Sequence, residues 1–128
     1  MNIDFANLQL QYQKYKTDID EKIHSILKNS NYILGKEVYE LEKKLKKFTG
    51  VKHSITCSSG TDALLLAMMA IDIQPGDEII TTPFTWVSTA ETIAFLKATP
   101  VFVDIEPDTF NINAKLIEAA ITKNTKAI

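Results

Sequence analysis

The sequence predicts an α/β fold, with a mainly parallel sheet and helices on both faces. The main observation is that, from residue 53 onward, short apolar strand-like runs alternate with helix-forming runs. The second is that no internal repeat or low-complexity linker interrupts this alternation. We therefore expect the sheet to lie in residues 51–128, after a helical amino-terminal segment covering residues 1–50.

Two amphipathic helices are predicted before the sheet. The first covers residues 10–28 and carries isoleucines and a leucine on one face, and the second covers residues 36–48 and ends at Gly50. Between them, residues 29–35 have the composition of a turn-forming loop.

The remaining elements follow in alternation. Residues 74–77, Gln-Pro-Gly-Asp, form a turn, and residues 122–128 are expected to lead from a turn into a further strand. Strands are predicted at residues 53–57, 78–82 and 101–104, and helices at residues 60–71, 87–97 and 114–121.

The segment Ser58-Ser59-Gly60-Thr61-Asp62 joins the first predicted strand to an apolar helix. Ser59 and Asp62 have the spacing of a capping box. A glycine at a helix start lets a phosphate approach bare N–H groups, where the helix dipole is positive. The alternative is that these residues form only a good helix cap. Just before them, Cys57 is expected to be a small buried residue.

Trp86 is the only tryptophan of the chain and follows the strand predicted at residues 78–82. Ligands of open parallel sheets bind outside the carboxyl ends of the strands. Trp86 is therefore placed to cover a planar ligand, although a packing role is the alternative.

Four motifs, in this order, resemble one family. They are Gly-Thr-Asp-Ala-Leu at 60–64, Pro-Gly-Asp-Glu-Ile at 75–79, Phe-Thr-Trp-Val-Ser-Thr-Ala-Glu-Thr-Ile at 84–93 and Pro-Val-Phe-Val-Asp-Ile-Glu-Pro-Asp-Thr-Phe-Asn-Ile at 100–112. The family is DegT/DnrJ/EryC1, the nucleotide-sugar aminotransferases, and the resemblance covers essentially the whole chain. It implies the large domain of a fold-type I pyridoxal-phosphate-dependent transferase.

The resemblance also implies roles for individual residues. Gly60 and Thr61 would hold the phosphate of pyridoxal 5′-phosphate, and Trp86 would stack on its ring. Ser30 and Tyr32 lie where family members border the sugar nucleotide, so they are candidate substrate contacts, with a plain connecting loop as the alternative. The implied reaction transfers an amino group, typically from glutamate, to a nucleotide-linked keto sugar. UDP-linked 3-keto sugars for surface polysaccharides fit best, dTDP-linked sugars remain open, and a homodimer is expected.

In full-length family members the lysine that binds the cofactor covalently lies beyond the position of Ile128. We therefore expect this chain to be an amino-terminal fragment, truncated before that lysine, without a catalytic residue and inactive alone. Two alternatives stay open: a sugar dehydratase of the same fold, with histidine in place of the lysine, and a non-catalytic binding or regulatory protein.

Composition excludes several classes of function. A formal net charge of -2 argues against a nucleic-acid surface. The start lacks a signal peptide, and no apolar run is long enough to span a bilayer, so a cytoplasmic protein without a membrane partner is expected. Asp104, Glu106 and Asp108 alternate as in a calcium loop, but Thr109 and Lys115 stand where that loop needs glycine and glutamate, so no metal is expected.

Overall fold

The computed structural model describes residues 6–128. The chain divides into two compact units, the first ending at Thr56 and the second spanning Cys57–Ile128. None of the helices within residues 6–128 combines the length and apolar character that crossing a bilayer requires.

Within its described residues, 6–56, the first unit contains two helices, α1 (Leu8–Asn29) and α2 (Lys36–Thr49). Asn7 caps α1, because its side chain accepts a hydrogen bond from the N–H of Leu10. Gly50 ends α2 in the left-handed conformation, with φ 75°, which glycine adopts without a steric penalty. The predicted helices at 10–28 and 36–48 are confirmed, with each end shifted by at most two residues.

The second unit alternates helices and strands. The three strands form one parallel sheet in which β1 is central and β2 and β3 are its neighbours, which confirms the predicted α/β class. The elements are α3 (Gly60–Ala70), β1 (Glu78–Thr81), α4 (Ser88–Phe95), β2 (Thr99–Phe102), α5 (Ala114–Ala120) and β3 (Thr125–Ala127).

Strand β2 begins two residues earlier than predicted and includes Pro100, which lies opposite Ile79. Proline has no N–H to donate, so it is tolerated in a strand whose second edge is unpaired, as the edge of β2 is within the described sheet. The predicted turn before β1 is confirmed: the Asp77 N–H bonds to the Gln74 carbonyl, and Gly76 has φ 92°.

The core of the second unit lies between α4 and the sheet. Helix α4 contacts α3, β1 and β2, which buries its side chains Thr92 and Ile93. Ile93 is 2% exposed and clusters with Ile73, Ile79 and Ala98.

We expect Ile93→Ala to destabilise the second unit by about 2–4 kcal/mol, because it removes buried methyl groups and leaves a cavity. Urea unfolding followed by circular dichroism would measure the change. Phe95→Ala, on the same helix but 63% exposed, is the control and should change the free energy of unfolding by less than about 0.5 kcal/mol. Equal losses in both variants would contradict the assigned core.

The strand predicted at residues 53–57 does not form, and this prediction was wrong. A strand requires a neighbour for its N–H and C=O groups, and the three described strands pair only with one another. The Thr56 N–H instead bonds to the carboxylate of Glu42 at 2.9 Å, and Ile55 is 82% exposed. The prediction that Cys57 is buried was also wrong, because no strand forms there. Its thiol is exposed and donates a hydrogen bond to the Ser59 carbonyl.

Candidate functional site

The start of α3 presents two free backbone donors. Ser59 is extended, and its hydroxyl and carbonyl accept hydrogen bonds from the N–H groups of Asp62 and Ala63, at 3.2 and 3.0 Å. Within the described part of the chain, the N–H groups of Gly60 and Thr61 have no hydrogen-bond partner. The Ser59 cap is therefore confirmed, and it still leaves two donors at the positive end of the helix dipole.

The space beside Gly60 is open. A Cβ atom built on Gly60 would meet nothing within 4 Å, and the φ of Gly60 is not in the left-handed region. Neither packing nor backbone strain therefore requires glycine here, whereas close approach by an anion would. The Asp62 carboxylate accepts a hydrogen bond from the Ser58 hydroxyl, but its charge in the first turn weakens the local positive potential. The residues present still fit a phosphate group.

Trp86 lies in the segment that connects β1 to α4, beyond the carboxyl end of β1. Its exposed fraction is 77%, too high for a residue whose role is to fill the core of this unit. It borders an open cavity of about 260 Å³, which is also lined by Thr82, Pro83, Thr85, Val87, Ala90 and Phe102. An exposed indole beside a cavity suits stacking on a flat ring.

One side-chain contact joins the starts of α3 and α4. The Thr61 hydroxyl donates a hydrogen bond to the Ser88 hydroxyl at 3.1 Å, and Ser88 follows Trp86 by two residues. The start of α3 and the segment that carries Trp86 are thereby connected. Sequence reasoning missed Ser88, for which the only signal was a small polar residue at a predicted helix start.

An aromatic pair lies beyond the ends of β1 and β2. The rings of Phe84 and Phe110 are stacked, with centroids 5.7 Å apart and planes 30° apart. Phe110 has φ 58°, and its N–H bonds to the Glu106 carbonyl in a loop closed by the bridge between Ile105 and Ile112. This pair was also missed, because no local pattern links residues 26 positions apart.

The candidate substrate residues Ser30 and Tyr32 lie in the first unit, after α1. Ser30 has φ 52° and ends α1, with its N–H bonded to the Leu27 carbonyl, and Tyr32 is 63% exposed. Ser30 borders a mainly polar cavity of about 500 Å³, which is also lined by Lys22, Ser25, Ile26, Asn29, Asn31, Lys36 and Glu37. Such a lining can hydrogen-bond a polar ligand.

One further cavity and the arrangement of possible metal ligands add no candidate site within the described residues. A mostly apolar cavity of about 350 Å³ lies beside α3, α4 and β1 and includes none of the candidate site residues. Within residues 6–128, no three side chains of histidine, cysteine, aspartate or glutamate are grouped so that they could hold a metal ion.

Comparison with known proteins identifies the family. The sequence profile of the DegT/DnrJ/EryC1/StrS aminotransferase family matches residues 13–128. The chain is 52% identical over 126 residues to the UDP-2-acetamido-2-deoxy-3-oxo-D-glucuronate aminotransferase of Pseudomonas aeruginosa, covering 98% of this chain and 35% of that enzyme. It is 41% identical over 126 residues to the UDP-N-acetyl-3-dehydro-alpha-D-glucosamine 3-aminotransferase of Acidithiobacillus ferrooxidans, covering 98% of this chain and 34% of that enzyme. It is 44% identical over 128 residues to a pleiotropic regulatory protein of Geobacillus stearothermophilus, covering 100% of this chain and 34% of that protein.

Solved structures agree. A DegT DnrJ EryC1 StrS aminotransferase from Brucella abortus matches 98% of this chain with a TM-score of 0.90 and 37% identity, over 35% of its own length. NtdA from Bacillus subtilis, with bound cofactor PMP (pyridoxamine 5′-phosphate), matches 88% with a TM-score of 0.85 and 32% identity, over 26% of its length. An E. coli GDP-4-keto-6-deoxy-D-mannose-3-dehydratase with bound hydrated PLP (pyridoxal 5′-phosphate) matches 84% with a TM-score of 0.77 and 32% identity, over 29% of its length. The chain thus spans about a third of the length of these relatives.

Proposed function

Because the chain belongs to the DegT/DnrJ/EryC1/StrS aminotransferase family, we propose that it forms the phosphate-binding and ring-binding part of a PLP-dependent nucleotide-sugar aminotransferase. One observation carries the proposal: the N–H groups of Gly60 and Thr61 are free, a Cβ built on Gly60 would meet nothing within 4 Å, and Thr61 is hydrogen-bonded to the helix that follows Trp86. A phosphate and the ring attached to it need these two features together.

Each residue has a defined role in this proposal. Bound pyridoxal phosphate supplies an aldehyde that carries the amino group and a ring that withdraws electrons. Gly60 and Thr61 donate their N–H groups to the phosphate, where the positive helix end favours a dianion. Trp86 lies against one face of the ring and excludes water from it. The lysine for covalent attachment belongs, by the family resemblance, to residues beyond the position of Ile128.

The relatives support a class of substrate. Two of them are named for amino transfer to UDP-linked 3-keto sugars, which supports a sugar of that class for this chain. Glutamate is the proposed amino donor. Ser30 and Tyr32 of residues 1–50 are the proposed contacts to the sugar nucleotide, and residues 51–128 hold the cofactor. We further propose that the protein is a cytoplasmic homodimer that acts in surface polysaccharide synthesis.

A chimera tests the proposed function. The amino-terminal segment of the Pseudomonas aeruginosa enzyme that aligns with this chain would be replaced by residues 1–128, so that the remaining two thirds supply the lysine. We expect the purified chimera to develop a visible absorbance band with pyridoxal phosphate, to lose it with borohydride, and to transfer the amino group of glutamate to the UDP-linked 3-keto sugar.

The same chimera carrying Gly60→Asp is the matched control, because it differs only at the proposed phosphate contact. It should show neither the band nor amino transfer. If the chimera that retains Gly60 folded but lacked the band, the assignment of the cofactor site to this chain would be refuted.

The E. coli structure supports a dehydratase as the second candidate, since it shares the fold at 32% identity. The 52% identity to an aminotransferase favours the first. The regulatory name of the Geobacillus relative supports a non-catalytic role as the third candidate. Loss of amino transfer with retention of the absorbance band in the chimera would favour the non-catalytic role over the first candidate.

A further inference from the structure

Ser88 is held in place by contacts with the core of the second unit. Its exposed fraction is 9%, and its carbonyl accepts a hydrogen bond from the Thr92 hydroxyl at 2.7 Å. Thr92 is fully buried on α4, one turn after Ser88. The Ser88 hydroxyl therefore sits at a defined position at the start of this helix.

Toward the cofactor site, the only described partner of the Ser88 hydroxyl is Thr61. Ser88 accepts the hydrogen of the Thr61 hydroxyl, and no acceptor for the Ser88 hydroxyl hydrogen lies among the described residues. A hydroxyl is one donor and two acceptors, and its hydrogen can rotate. Ser88 can therefore take the donor role when the Thr61 hydroxyl turns to another acceptor.

We infer that Ser88 is a positioning residue that orients the Thr61 hydroxyl for the cofactor phosphate. Without an anion, Thr61 donates to Ser88. With the phosphate on the N–H groups of Gly60 and Thr61, the Thr61 hydroxyl donates to the phosphate, and Ser88 donates to the oxygen of Thr61. A hydrogen bond received by Thr61 polarises the one it donates, and donation to an anion is stronger than donation to a neutral group.

This inference rests on the proposed function, because it takes the ligand to be the cofactor phosphate. It adds a residue that contacts neither the phosphate nor the ring and acts only through Thr61. Ser88→Ala should weaken binding of pyridoxamine 5′-phosphate about 5-fold, the effect of one typical hydrogen bond. Thr61→Val should weaken it by at least as much, and the double variant no more than Thr61→Val alone.

The experiment is a double-mutant cycle for pyridoxamine 5′-phosphate binding to the 128-residue chain, measured by calorimetry. This form of the cofactor has no aldehyde and so cannot react with the 14 lysines of the chain. Thr89→Val is the matched control, because it also lies on α4 and loses a hydroxyl whose described partner is Thr85, not Thr61 or Ser88. It should leave the affinity within about 2-fold of the unmodified chain, as expected for a site outside the network.

The emission of Trp86 in the free proteins separates positioning of Thr61 from a shift of the segment that carries Trp86. Unchanged emission with non-additive losses in the cycle supports the inference. If Ser88→Ala still weakened binding in the Thr61→Val background, so that the two losses were additive, the inference about Ser88 would be overturned while the cofactor site would stand. Absence of saturable binding to the unmodified chain would overturn the cofactor site and the role of Ser88 together.

Discussion

Gly60→Asp is expected to weaken binding of pyridoxamine 5′-phosphate at least about 10-fold while leaving the fold intact. The backbone of Gly60 is not in the left-handed region and a Cβ there meets open space, so the larger side chain enters without strain. A carboxylate in the first turn of α3 is favourable for the helix, by about 0.3–1 kcal/mol. The same carboxylate would repel a phosphate dianion at about 4 Å by about 1–4 kcal/mol per charge pair, which lowers affinity at least about 10-fold.

Gly60→Asn is the matched control, since asparagine has the shape of aspartate without its charge. We expect Gly60→Asn to reduce affinity through crowding alone, and Gly60→Asp to reduce it clearly further. Calorimetric titration measures both affinities, and circular dichroism with thermal unfolding confirms that both variants fold. If Gly60→Asp bound the ligand as tightly as the unmodified chain, the start of α3 would not be the phosphate site.

Trp86→Ala is expected to weaken the same ligand about 10-fold, because it removes the stacking surface and the apolar area that the ring would cover. Its effect on the free energy of unfolding should stay within about 0.5 kcal/mol, because the side chain is 77% exposed. The combination of a large effect on binding and a small one on stability is what distinguishes a ligand contact from a packing residue.

Trp86→Phe is the control here, because phenylalanine retains an aromatic face at the same position. It should recover most of the affinity lost in Trp86→Ala, as judged by calorimetry, which does not depend on tryptophan emission. If Trp86→Ala lost enough stability to account for its weaker binding, Trp86 would be a packing residue and not a ligand contact.

The elements that sequence predicted well are those whose signals are local. Both long helices carry their own apolar face and end signals, such as Gly50, and the turn at 74–77 contains the residues that a tight turn requires. The Ser59 cap was likewise predictable, because the capping pair lies three residues apart. These features depend on neighbours in the sequence and not on the rest of the fold.

The features that sequence did not predict depend on distant partners. Residues 53–57 have a strand-like composition, but a strand exists only beside another strand. Ser88 became a candidate only when the fold brought it to 3.1 Å from Thr61, 27 positions earlier. The stacking of Phe84 on Phe110 likewise requires two loops at the same edge of the sheet.

Family membership extends the argument beyond the chain. The family matches residues 13–128, and the proposed function assigns the helix-start donors and the exposed tryptophan to one cofactor site. The chain spans about a third of the length of the relatives it matches. We propose that this chain contributes the contacts to the cofactor phosphate and to one face of its ring.

The most direct measurement is a titration of the isotope-labelled chain with pyridoxamine 5′-phosphate, followed through its backbone amide and indole NMR signals. We predict saturable shifts that are largest at the N–H groups of Gly60 and Thr61 and at the indole N–H of Trp86. Inorganic phosphate should reproduce the first two shifts and not the third. Shifts spread over the lysine-rich surface of α2, with none at Gly60 and Thr61, would contradict the assignment of this site.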